Sequence, residues 1–148
     1  MTVPELAKAR RKVGEAVEKL GDKVSCRGFA CSGCCRGEVR VRPDEVERIV
    51  PLVSPAAWLR IRAVPATANR KTLVCPLLDP VTRACTVYVE RPLVCRGYTV
   101  ATPPEWCWPE KVGIRDVGIH AVPLQTAYAL VGNGEPLLSA LEARVPRG

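Results

Sequence analysis

Aromatic side chains make up only 5% of this 148-residue sequence, and histidine occurs once, at His120. The first shortage leaves Val, Leu and Ala to carry the apolar mass between 14 prolines, and a core of that kind gains from a covalent or metal staple. The basic segments also lack interleaved aromatics on which nucleic-acid bases could stack, which weakens an RNA- or ribosome-associated reading. His120, set among Gly118, Ile119, Ala121 and Val122, reads as a packed or surface residue rather than a ligand.

Other absences narrow the function classes. No Ser–His–Asp arrangement, phosphate loop or paired-carboxylate signature stands out, and no glycine motif for S-adenosylmethionine is recognisable. No stretch approaches the roughly 20 apolar residues needed to cross a bilayer. The segment Met1 to Lys12 is charged throughout and has no signal-peptide core. The expectation is therefore a chain without a membrane span in a reducing cytoplasm, where thiols favour metal over disulfides.

What is abundant is cysteine. The eight follow the pattern Cys26-x4-Cys31-x2-Cys34-Cys35, then Cys75-x9-Cys85-x9-Cys95-x11-Cys107. Cys31-Ser32-Gly33-Cys34 has the gap of a metal knuckle, where glycine lets the backbone turn tightly around the metal. The doublet Cys34-Cys35 says more. Neighbouring side chains diverge by roughly 100° on a helix and point to opposite faces of a strand. The pair thus fits a polynuclear cluster, two nearby sites, or one ligand beside a non-ligating thiol. Alternatively, Cys35 is a small buried apolar residue.

The formal charge of +7 counts every cysteine as neutral. A four-thiolate zinc site or oxidised cubane carries a net charge of about −2, so one such site leaves about +5 and two leave about +3. Part of the basic excess is then internal compensation.

The length predicts one domain over 1–148. Along it, residues 4 to 20 read as a helix with Leu6, Val13, Val17 and Leu20 on one side, a solvated Lys/Arg face opposite, and Gly21 as its stop. Arg40-Val41-Arg42 reads as a short strand. A helix from Pro43 follows, with Val46, Ile49, Val50 and Val53 as its stripe; another is opened by Ser54-Pro55 and runs through Trp58, Leu59 and Ile61, with Trp58 in the core. Thr72 to Leu78 and Cys85 to Val89, separated by the turn at Asp79-Pro80, predict a small hairpin carrying Cys75 on one arm and Cys85 on the other. Arg91 to Tyr98 reads as a turn or short helix bearing Cys95. Trp106 and Trp108 flank Cys107, where they would shield a thiolate or simply pack a loop. Leu124 to Val131 is predicted helical and stopped by Gly132-Asn133-Gly134, and Pro136 to Arg144 forms a last helix with Leu137, Leu138 and Leu141 inward. The expected fold is a small, irregular α+β domain: several short helices and a minimal β-hairpin around a cysteine-ligated metal centre.

The cysteine run ending in Cys34-Cys35-Arg36, followed by Cys75-Pro76-Leu77-Leu78-Asp79 and by Cys85-Thr86-Val87-Tyr88-Val89-Glu90-Arg91-Pro92-Leu93-Val94-Cys95-Arg96, resembles the zinc- or iron-chelating CxxCxxCC family. These are also called YkgJ-type cysteine cluster proteins and include the flagellin N-methylase-like proteins. The resemblance spans a core of about 26–107, with helical extensions at 1–25 and 119–148. It implies that Cys26, Cys31, Cys34, Cys35, Cys75, Cys85, Cys95 and Cys107 form a metal or iron–sulfur centre. The first gap, from Cys26 to Cys31, is longer than the shortest family form.

One knuckle joined to widely spaced single thiols suits an iron–sulfur cluster better than the paired knuckles of structural zinc, with Zn²⁺ as the alternative. Arg91 and Arg96 bracket Cys95 and Arg36 follows Cys35, so three guanidinium groups could offset a buried centre's negative charge. The plainer alternatives are a surface arginine at Arg36 and, for Arg91, an ion pair with Glu90 or Asp79. Three functions follow: a non-catalytic metalloprotein with a protein-partner surface, a redox or methyl-transfer enzyme, or an RNA- or ribosome-associated module using the basic helix at 8–23.

Overall fold

Helix α1, Leu6–Glu18, buries Ala9 and Val13 completely and turns Lys8, Arg11 and Lys12 to solvent. That is the separation its 3.6-residue periodicity predicts, with Leu6, Val17 and Leu20 half-buried at the edge of the stripe. The structure, a computed structural model, describes residues 5–24, 38–70, 73–99, 101 and 119–146. Cys26, Cys31, Cys34, Cys35, Arg36, Trp106, Cys107 and Trp108 lie outside the described residues.

Beyond a 3₁₀ turn at Gly21–Lys23, the described chain resumes with strand β1, Arg40–Val41, and helix α2, Pro43–Ile49. Pro43 sits at the first helical position, where its missing N–H costs nothing, and Val46 and Ile49 are fully buried. A 3₁₀ turn at Val50–Leu52 carries the chain past Pro51 into helix α3, Pro55–Arg62. Its cap is as predicted: Ser54 Oγ accepts the Ala57 amide at 3.1 Å. Ala57 and Ile61 face inward and Trp58 packs half-buried against the core. Leu59 is 64% exposed, because a helix this short turns only one narrow stripe to the core.

The Cys75-to-Cys85 region reduces the predicted hairpin to one antiparallel bridge, Leu78 with Cys85. Backbone bonds from Thr86 N–H to the Leu77 carbonyl (3.0 Å) and from Asp79 N–H to the Ala84 carbonyl (2.9 Å) close it. Pairing stops there for a local reason on each side. Cys75 lies in a turn, its carbonyl accepting the Leu78 amide, and Tyr88–Glu90 coil into a 3₁₀ turn before Pro92. The two-stranded sheet lies elsewhere: β1 pairs antiparallel with β2, Glu135–Pro136, in the register Arg40 with Pro136 and Val41 with Glu135.

Helix α4, Leu93–Gly97, carries Cys95. Helix α5, Ala121–Val131, begins three residues before the predicted start. Pro123 falls in its first turn, where proline is tolerated. Gly132 stops α5 in the left-handed region (φ +61°), the conformation for which glycine is the default. Helix α6, Leu137–Glu142, buries Leu137, Ala140 and Leu141, while Leu138 is half-buried.

Helices α1, α4 and α5 pack on one another, and this joins both helical extensions to the cysteine-bearing middle. The α4–α5 approach depends on Gly97. A Cβ there would lie 2.6 Å from the Pro123 carbonyl oxygen and 3.0 Å from Ala127 Cβ. Gly97→Ala is expected to cost about 1–3 kcal/mol by overpacking, measurable as a lower urea midpoint at constant m-value.

Candidate metal centre

Cys75, Cys85 and Cys95 are separated by nine residues each, and all three are half-buried against the same hydrophobic core. The neighbouring core residues Leu77, Val87 and Leu93 are fully buried, so each thiol is held close to a fixed apolar anchor. Among the described residues, no three His, Cys, Asp or Glu side chains gather as a metal-binding group. The three thiols thus do not make a closed ligand set by themselves.

Each thiol is supported differently. Cys75 lies on the wall of an apolar cavity of about 130 Å³, shared with Leu73, Leu137 and Leu141, at which Glu38 and Arg70 are the charged residues. Such a wall raises the cost of a bare thiolate, which a metal or a cation would offset. The following residue is tied down, since Arg60 Nε donates to the Pro76 carbonyl at 2.8 Å.

Cys85 closes the turn organised by Asp79, whose Oδ1 accepts the Val81 and Thr82 amides at 2.8 and 3.2 Å. Those two donors hold the Asp79 carboxyl below its ordinary range. This is the turn the Asp79-Pro80 signal predicted.

Cys95 is the third residue of α4, and the helix is anchored from α2. Glu45, fully buried, accepts the Arg42 amide on Oε1 (3.0 Å) and the Leu93 amide on Oε2 (2.6 Å). Burial pushes its pKa up, against the lowering effect of the two amides. The acid was visible in the sequence as a favourable residue near a helix start. Its second bond, across 48 residues, had no sequence signal.

The arginines near Cys95 clasp the turn that precedes it. Arg91 Nη1 donates to the Tyr88 carbonyl at 3.0 Å, and its guanidinium lies 4.0 Å over the Tyr88 ring. This corrects the expected ion pair: Arg91 bonds neither Glu90 nor Asp79, because its side chain folds back onto Tyr88 and Glu90 is taken by Arg10 at 2.5 Å. Arg96 donates through Nε to the Arg91 carbonyl (2.9 Å) and through Nη2 to the Val89 carbonyl (2.6 Å). Burial, and then repulsion from Arg10 and Arg91, lowers the Arg96 pKa to about 10. Arg10 also corrects the sequence reading of its helix, since one member of the basic face points inward.

His120 is the N-cap residue of α5 and sits 2.8 Å through Nε2 from the Lys23 carbonyl. It ties the start of α5 to the 3₁₀ turn after α1.

The profile of the family "CxxCxxCC: Putative zinc- or iron-chelating domain" matches residues 25–112. This chain belongs to the CxxCxxCC family. The match includes Cys26, Cys31, Cys34, Cys35, Cys75, Cys85, Cys95 and Cys107, so every cysteine of the chain falls inside the CxxCxxCC domain. Arg10 and helices α1, α5 and α6 lie outside it. The chain matches no curated protein and no solved structure. The family description supports metal chelation, and soft thiolate donors seated on an apolar core suit zinc or iron. Among the described residues, no helix is long and apolar enough to cross a membrane.

Proposed function

We propose that this CxxCxxCC protein holds an iron–sulfur cluster through Cys26, Cys31, Cys34, Cys35, Cys75, Cys85, Cys95 and Cys107, with a structural or redox role in a reducing compartment. The observation that carries the reading is the placement of Cys75, Cys85 and Cys95. Three thiols remote in sequence meet one buried core, each on a short segment pinned by its own hydrogen bonds. A cluster accepts one close thiol group joined to remote ligands, as the spacing here requires. Arg91 and Arg96 supply positive charge on the segment bearing Cys95, where it would offset a thiolate centre. The whole of 1–148 acts as one unit in this reading, since helices from both extensions pack against α4.

Purification without oxygen, followed by elemental analysis, tests it. The expected product is brown, contains iron and sulfide, and absorbs near about 400 nm as thiolate-ligated clusters do. Colourless protein with stoichiometric zinc would replace the cluster by Zn²⁺ at the same thiols. Protein retaining neither metal would overturn the centre altogether.

A further inference from the structure

Helix α4 is five residues long, too short to hold its own geometry. Isolated helices need roughly 12–15 residues before they are even marginally stable in water. The backbone bonds that reach past its two ends are Arg96 N–H to the Pro92 carbonyl (2.9 Å) and Tyr98 N–H to the Val94 carbonyl (3.0 Å). The direction in which Cys95 points is therefore set by the packing of α4 on α1 and α5 together with what holds its two ends. At its carboxyl end Gly97 is pressed against Pro123. At its amino end the Leu93 amide, one of the donors a helix start leaves without an intrahelical partner, is taken by Glu45.

Glu45 is suited to act as a fixed post. Its other oxygen is held by the Arg42 amide, and α2 is locked into the core by the fully buried Val46 and Ile49. The carboxylate therefore cannot follow α4 if that helix swings. Leu93 and Cys95 are two residues apart, about 3 Å of helix rise, so a displacement at Leu93 reaches the thiol almost undiminished. Metal–ligand distances tolerate about ±0.2 Å, a precision that non-directional packing on α1 and α5 supplies less well than a directional hydrogen bond beside the thiol. A carboxylate alone among the acidic and amide side chains accepts both amides at once. The isosteric Gln has a single acceptor oxygen and would turn an N–H₂ group toward one of the two donors.

We propose that Glu45 is the positioning residue for Cys95, fixing the start of α4 through the Leu93 amide so that the thiol meets the metal. The proposal rests on the reading of Cys95 as a ligand. It concerns how the site is assembled, and Glu45 itself touches no metal.

The test is an anaerobic Co²⁺ titration against a competing chelator, read by the thiolate-to-cobalt charge-transfer band, for the unaltered chain, Glu45→Gln, Glu45→Asp, Cys95→Ser and Val46→Ala. Glu45→Gln is expected to bind Co²⁺ roughly 10–100-fold more weakly, the range seen when a group that orients a metal ligand is lost. Glu45→Asp keeps the charge but is one methylene too short to span both amides, and the same loss is expected; it decides the matter if the Gln variant fails to fold. Val46→Ala loosens the same helix while leaving both Glu45 bonds in place, so a merely structural role for Glu45 would give it an equal loss of affinity. Unchanged affinity in Val46→Ala together with weakened binding in the Glu45 variants supports positioning. Wild-type affinity in a folded Glu45 variant, with Cys95→Ser weakened, overturns the proposal and leaves the metal centre standing. Wild-type affinity in Cys95→Ser, or no Co²⁺ band in the unaltered chain, overturns the ligand reading beneath it.

Discussion

Stripping the metal from the folded protein with a chelator is expected to lower its unfolding free energy by several kcal/mol, and Cys34→Ser to reproduce much of that loss. A site absent from the unfolded chain makes its binding energy folding energy; structural zinc in small peptides contributes roughly 10–16 kcal/mol on this account. The described core has reason to depend on such a contribution. It is built chiefly from Val, Ala, Leu and Ile, with Trp58 only half-buried at its edge, and its helices run from 5 to 13 residues. Cys34 is the informative position because it closes the knuckle with Cys31 and leads into Cys35. Melting curves recorded with and without chelator check the expectation. Superimposable curves would sink the idea that metal supports the fold.

Glu45→Ala should cost roughly 2–6 kcal/mol, since it leaves the Arg42 and Leu93 amides without their acceptor in a buried setting, at about 1–3 kcal/mol for each unsatisfied donor. The loss should also depend on pH with a definite sign. Burial raises the Glu45 pKa in the folded protein, so the native state binds that proton more tightly than the unfolded chain. Its contribution is fully present below the ordinary carboxyl range and declines as pH rises through the raised value. The gap in stability between the unaltered chain and Glu45→Ala should therefore narrow from acid toward neutral pH. Glu90 runs the other way, because the hydrogen bond from Arg10 lowers its pKa, but it is common to both proteins and cancels in the difference. Urea unfolding across that pH range is the measurement, and a gap that widens with pH would contradict the assignment.

Local chemistry was legible wherever a rule acts within a few residues. The Ser54 cap, the Asp79-Pro80 turn and the Gly132 stop all appear where expected, because each is decided by a side chain and the backbone beside it. The amphipathic stripe of α1 was legible for the same reason. The partner of Arg91 was not legible, because the sequence names a residue's neighbours along the chain but not the surface it meets. Its side chain folded onto an aromatic ring instead of pairing with Glu90 or Asp79.

The thiol order, the doublet Cys34-Cys35 and the match to the CxxCxxCC family are properties of the sequence by itself, since ligand type and spacing limit the metals a chain can hold. The seating of Cys75, Cys85 and Cys95 on one core, the pairing of β1 with β2, the Arg10–Glu90 pair and the reach of Glu45 to Leu93 belong to the tertiary structure alone. Each joins residues distant along the chain, and which partners meet is settled by how the whole apolar surface is buried at once.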